Sequence, residues 1–118
     1  MDYINIYNRL IHRAEERTRL TCYIERHHIV PISLGGDDCL SNIAVLTLRE
    51  HKLAHILLAK IWPNQWHSVE CFFTDDNPNR AHLRMPKWIR RNIHMNKQRN
   101  IRKMLREVSM QREERRLL

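Results

Sequence analysis

The sequence predicts a mixed α+β domain. It has an N-terminal helix, a strand–turn–strand–helix unit at about residues 20–62, and a basic helical region at the C-terminal end. Three observations carry that expectation. The only two glycines of the 118-residue chain, Gly35 and Gly36, stand together between two short runs with strand-like composition. Thr47-Leu48-Arg49-Glu50 has the spacing of a capping box and directly precedes a leucine-rich stretch. The excess positive charge is confined to the last third, where apolar residues recur at helical intervals.

Asp2 suits the N-cap of a first helix running to about Arg17, with Tyr3, Tyr7, Leu10, Ile11 and Ala14 on one face. Cys22 to Val30 reads as loop and strand, and Pro31 disfavours its continuation. Gly35-Gly36-Asp37-Asp38 marks a turn where positive φ angles are expected. Ile43 to Leu46 reads as the second strand. The helix opened by Thr47 carries Leu48, Leu53, Leu57, Leu58 and Ile61, and Trp62-Pro63 ends it. Residues 65–73 predict a short helix packing back on this unit. Leu53, Trp62, Trp66, Phe72 and Phe73 are expected in the core. Thr74 to Arg84, with Asn77-Pro78-Asn79, reads as loop or linker. Pro86 suits the first turn of a long helix whose apolar face holds Ile89, Ile93, Ile101, Leu105 and Val108. The chain therefore divides into residues 1–79 and a basic extension, residues 80–118.

Composition narrows the function. Residues 1–79 hold 8 Lys/Arg against 10 Asp/Glu, a net −2, whereas residues 80–118 hold 13 against 3, a net +10. Charge this uneven is the footprint expected for a polyanion, nucleic acid first. Asn92, Asn96 and Asn100 recur every four residues on that helix and are read as solvated amides rather than as a row that reads base edges. Three cysteines without a CxxC pair argue against a disulfide framework or a cysteine-type zinc knuckle. No apolar run reaches the ~20 residues of a membrane span, and Met1-Asp2-Tyr3-Ile4-Asn5 does not begin a secretory signal. The expectation is a cytoplasmic protein that does not engage membranes.

The chemistry concentrates in four histidines within 29 residues: His27, His28, His51 and His55. Neighbours on a strand point to opposite sides, so His27 and His28 suit different tasks, one turned to a metal and one free as a base. His51 and His55, four apart on a helix, stack on one face and can chelate one ion. Three nitrogens leave coordination positions open for water and a phosphate oxygen, as in a catalytic rather than a closed structural site. His12, His67, His82 and His94 fit no ligand spacing and are expected at the surface or in packing.

Glu25-Arg26-His27-His28-Ile29-Val30-Pro31, Gly35-Gly36, Asn42-Ile43 and His51-Lys52-Leu53-Ala54-His55 together resemble the HNH endonuclease family, over about Glu25 to Ile61. The helix before the motif makes the chain look most like the small phage-encoded, homing-type members. The resemblance implies a ββα-metal (HNH) core in which His27, His51 and His55 hold a divalent ion and His28 is the general base. Asn42 would tie the hairpin loop and help hold the base, and Glu25 would hydrogen-bond near the base. Arg26 and Arg49 are candidates for the cation on the scissile phosphate. The implied function is hydrolysis of double-stranded DNA to 5′-phosphate and 3′-hydroxyl ends. Mg²⁺ or Mn²⁺ would serve activity, and Zn²⁺ or Ni²⁺ suit the imidazoles. A monomer would nick; cutting both strands needs a homodimer or sequential nicks. Two other readings stay open: a non-catalytic, metal-stabilised nucleic-acid-binding module, and a nuclease toxin of the colicin kind.

Overall fold

A computed structural model describes all 118 residues, Met1–Leu118. Helix α1 (Tyr3–Glu16) is capped by Asp2, whose carboxylate accepts from the Asn5 amide, and it buries Tyr7, Leu10, Ile11 and Ala14. Strands β1 (Ile24–His28) and β2 (Ile43–Thr47) form a two-stranded antiparallel sheet in which His27 pairs with Ala44 and His28 with Ile43. Both arms of the capping box are made at helix α2 (Leu48–Ile61): Thr47 accepts from the Glu50 amide and Glu50 from the Thr47 amide. Glu50 also takes a two-pronged bond from Arg17 at 2.6 and 2.8 Å, which clamps the chain after α1 to the start of α2. Helices α3 (Trp66–Thr74) and α4 (Lys87–Leu117) complete the order.

The core has two halves that meet at α2. Residues from α1, β2 and the Ala54, Leu57 and Leu58 positions of α2 form one cluster. Ala59 of α2, Trp66 and Val69 of α3, and Ile89 and Ile93 of α4 form the other. α2 is covered through Ala54, Leu57 and Leu58 in one cluster and Ala59 in the other, and Leu53, outside both, is exposed, as is Trp62 at the C-cap, although both were expected inside. Ile101, Leu105 and Val108 are exposed as well. α3 is only nine residues long, and α4 runs past it into solvent with every residue from Lys97 onward exposed. Asn96 falls on the buried face with Ile89 and Ile93, so it is not one of three solvated amides.

The two glycines serve different ends. Gly35 adopts φ +95°, the left-handed region that glycine enters without penalty. Gly36 does not have a positive φ. Its place is fixed by close approach, because a Cβ there would lie 1.8 Å from the Val30 carbonyl oxygen. The segment after α3 is no free linker either. Asn77 and Arg80 reach back to Glu25, in a short turn (Pro78–Arg80) that contains the 79/80 division drawn from the sequence. No helix is long and apolar enough to cross a membrane.

Candidate metal centre and nucleic-acid interface

Alternation along β1 creates the site. Glu25 and His27, two apart, both turn inward and are buried, whereas Arg26 and His28 face outward. On the α2 side, the four-residue spacing stacks His51 and His55 beneath the strand. The result is one cluster. Ligand-capable atoms of His27, His51 and His55 all lie within 4.8 Å of one another, and the His51 and His55 Nε2 atoms are 3.0 Å apart.

The protons on these rings follow from their partners. The Ile29 carbonyl can only accept, so the Tyr7 hydroxyl donates to it at 2.6 Å. The 2.8 Å contact between Tyr7 and His27 Nε2 must then carry the imidazole proton toward the phenol oxygen. His27 Nδ1 is left as a buried lone pair without a protein partner. At His51, Nδ1 meets the Glu25 carboxylate at 2.8 Å, which a carboxylate accepts, leaving Nε2 unprotonated. His55 Nδ1 is likewise buried without a partner. Three neutral imidazoles whose ligand-capable atoms lie this close together, with buried nitrogens at His27 and His55 that no protein group satisfies, are a donor set that a borderline divalent ion takes, so the residues present fit a metal.

Electrostatics point the same way. Burial pushes His27 down to about 2 and His55 to about 3, with neighbouring rings adding to both shifts. Burial also lowers His51, against the upward pull of Glu25. All three rings are therefore held neutral, the form in which an imidazole can ligate a metal. Burial raises Tyr7, keeping its phenol protonated. Glu25 is pushed up by burial, yet hydrogen bonds from Arg80, Tyr23 and His51 outweigh this and hold it at about 2, ionised.

His28 stands apart, as neighbours on a strand must. It is partly exposed, and its Nε2 lies 2.8 Å from the Asp38 carboxylate. That partner fixes the proton on Nε2 and leaves Nδ1 able to accept another. Arg26, His28, Ser33, Gln65 and the three clustered histidines line one cleft of about 400 Å³. Asn42, expected to help hold the base, makes its side-chain hydrogen bonds elsewhere and not to His28. Its amide accepts from the Val30 amide and donates to the carbonyls of Val30 and Asp37, tying the two sides of the hairpin loop.

Glu25 is placed differently from the expectation. It hydrogen-bonds the His51 ring and not His28, because the pleat puts 25 and 27 on one face and 28 on the other. Arg26 borders the cleft, whereas Arg49 is exposed at the start of α2 and does not line it. Sequence reading missed Tyr7, Asp38 and Arg80. A buried tyrosine on the apolar face of α1 signals a hydroxyl in need of a partner. Nothing local announces Asp38, or Arg80 at 55 residues from Glu25. His12, His67, His82 and His94 are all exposed. The positive charge of α4 is presented to solvent by Arg99, Arg102, Lys103 and Arg106, all on the part of the helix beyond the body.

No family model and no solved structure matches the chain. Among curated proteins, it is 51% identical over 63 residues to "Probable mobile endonuclease E" of Enterobacteria phage T4, covering 53% of this chain and 45% of that relative. It is 38% identical over 96 residues to "Probable mobile endonuclease B" of the same phage, covering 76% of this chain and 36% of the relative. A third match, "Probable mobile endonuclease D", is 44% identical over 68 residues, 54% of this chain and 26% of the relative. The chain spans less than half the length of each of these relatives. It is thus similar, over half or more of its own length, to proteins named as mobile endonucleases of phage T4.

Proposed function

We propose that this chain is a metal-dependent endonuclease domain of the HNH type that hydrolyses phosphodiester bonds in double-stranded DNA. The observation that carries the reading is the convergence of His27, His51 and His55 beside an outward-turned His28, all bordering one cleft. The similarity to relatives named as mobile endonucleases supports the reaction class.

His27, His51 and His55 would hold one divalent ion. When bound, such an ion supplies Lewis-acid stabilisation of the charge that develops on the phosphate and the leaving 3′ oxygen. His28 takes the proton of the attacking water at Nδ1, while Asp38 holds Nε2–H and so the ring's orientation. Asn42 keeps the loop that carries Asp38 in register with β1. Arg26 at the rim is placed to meet a phosphate. The basic face of α4 engages the DNA backbone, giving affinity with little sequence preference. One chain has one such site, so a monomer nicks.

Plasmid nicking, with the purified chain titrated with Mg²⁺, Mn²⁺, Zn²⁺ and Ni²⁺, tests the reading. Nicked circles should form with at least one ion. His28→Ala should lower the rate by about 10²–10⁴-fold with metal content and DNA affinity unchanged. Cleavage that survives His28→Ala removes the base assignment. A wild-type chain that binds metal and DNA yet never nicks is the non-catalytic module instead.

A further inference from the structure

We propose that Arg80 is a positioning residue for the metal-binding histidines, acting through Glu25. The metal centre is then completed by the turn between α3 and α4 and is not self-contained in the β1–β2–α2 unit. This rests on the reading of His27, His51 and His55 as ligands.

Arg80 lies far from the motif in sequence and close to it in space. Its Nε and Nη2 donate to the two carboxylate oxygens of Glu25 at 3.0 and 2.9 Å, while Nη1 reaches Asp75 at 3.1 Å. The side chains of Arg80 and Glu25 are only 12% and 6% exposed, so this pair is shielded from water, unlike an ordinary surface ion pair. The guanidinium also stacks on the Phe72 ring, 4.1 Å from its centre. Phe72 in turn packs against both His51 and His55, with ring centres 5.2 and 5.8 Å away.

A two-pronged arginine–carboxylate bond sets the plane of the carboxylate as well as its charge. With that plane fixed, Glu25 Oε1 meets His51 Nδ1 at 2.8 Å and keeps the proton there, so that Nε2 faces the other two imidazoles. Without Arg80, the remaining bonds to Glu25 from Tyr23 and Asn77 both fall on Oε2. Oε1 would be held by His51 alone, and a buried carboxylate would lose its only cationic partner. The orientation of His51 would loosen even though every ligand stayed in the sequence. Outer partners of metal-bound histidines act on affinity in this way.

The test is metal binding by the full chain. Co²⁺ and Zn²⁺ are titrated into wild type, Arg80→Ala, Arg80→Lys and Arg84→Ala, with calorimetry and the visible Co²⁺ absorption as readouts and circular dichroism as the folding control. Arg80→Ala should bind about tenfold more weakly with altered Co²⁺ bands. Arg80→Lys, which keeps the charge without the fork, should fall between it and wild type. Arg84→Ala, which removes a cation from the same segment that bonds only the Ala81 and Leu83 carbonyls, should stay within about twofold of wild type. The inference is overturned if folded Arg80→Ala binds as wild type does, or if Arg84→Ala weakens binding as much as Arg80→Ala. Should Arg80→Ala not fold, a native Arg80→Lys with wild-type affinity overturns it, and one with reduced affinity supports it. A wild-type chain that takes up neither ion removes the ligand assignment itself, a different failure seen before any variant is compared.

Discussion

Replacing Gly36 by alanine should damage this protein far more than the same change at Gly35, although the two residues are neighbours in one turn. A Cβ at position 36 would sit 1.8 Å from the Val30 oxygen and 3.0 Å from Asn42 Nδ2. Carbon–oxygen contacts relax at about 3.3 Å or more, so loop and strand would have to part by roughly 1.5 Å. The Gly36 amide donates to the Pro31 carbonyl across that gap at 3.0 Å, and Asn42 beside it bonds the amide and carbonyl of Val30 at 2.9 and 3.0 Å, so parting the two sides breaks or strains these bonds. At about 1 kcal/mol net for each hydrogen bond, with added backbone strain, the cost is about 2–4 kcal/mol. At Gly35 a Cβ meets nothing within 4 Å. Only the left-handed φ is penalised there, at about 1 kcal/mol. Urea denaturation of the two variants, followed by circular dichroism, measures the difference. Gly36→Ala should also slow DNA nicking, because the displaced loop carries Asp38, the partner of His28. Equal destabilisation by the two substitutions, or a milder effect at 36, would refute the close-approach argument.

Tyr7→Phe keeps the ring and strips both His27 Nε2 and the Ile29 carbonyl of a partner. We expect a stability loss of about 1–3 kcal/mol by denaturation and a 10–100-fold loss of metal affinity by calorimetry; unchanged affinity would rule out Tyr7 as the group that orients His27. Acid should weaken the Arg17–Glu50 clamp. Hydrogen bonds from Arg17 hold Glu50 down at about 2, below its ordinary 4.5. The stabilisation is therefore complete above about pH 4.5 and is lost as the pH falls toward 2. With solvent screening allowed for, it amounts to about 1–2 kcal/mol. Stability measured from pH 5 to 2 should fall less steeply in Glu50→Gln than in wild type, and parallel curves would count against the clamp. Replacing Arg99, Arg102 and Arg106 together with alanine should flatten the dependence of log K on log salt by about 2–3 for a short DNA duplex followed by anisotropy. An unaltered slope would mean that this face of α4 does not meet phosphate.

Much of the architecture is legible in the sequence because its signals are local. Asp2, the Thr47/Glu50 pair, the Gly-Gly turn and Trp62-Pro63 each act within a few residues, and they place α1, the hairpin and α2 close to where they are observed. Two periodicities, two along a strand and four along a helix turn, show that His27 and His28 point opposite ways and that His51 and His55 share a face, whereas His27 as the inward member of the pair was implied by the family resemblance. Core membership was less legible. Leu53, Trp62, Ile101 and Leu105 are as apolar as their buried neighbours, and only the position of the next element decides which face of a helix is covered.

Tertiary structure alone decided what holds each imidazole. Tyr7 reaches His27 across 20 residues, Glu25 reaches His51 across 26, and Arg80 reaches Glu25 across 55. A hydrogen-bond partner is chosen by proximity and direction after the chain has packed, and no spacing rule spans such separations. Residue type and period set which groups could act together. The fold, by burying them, determined which nitrogen keeps its proton and which is left with a free lone pair.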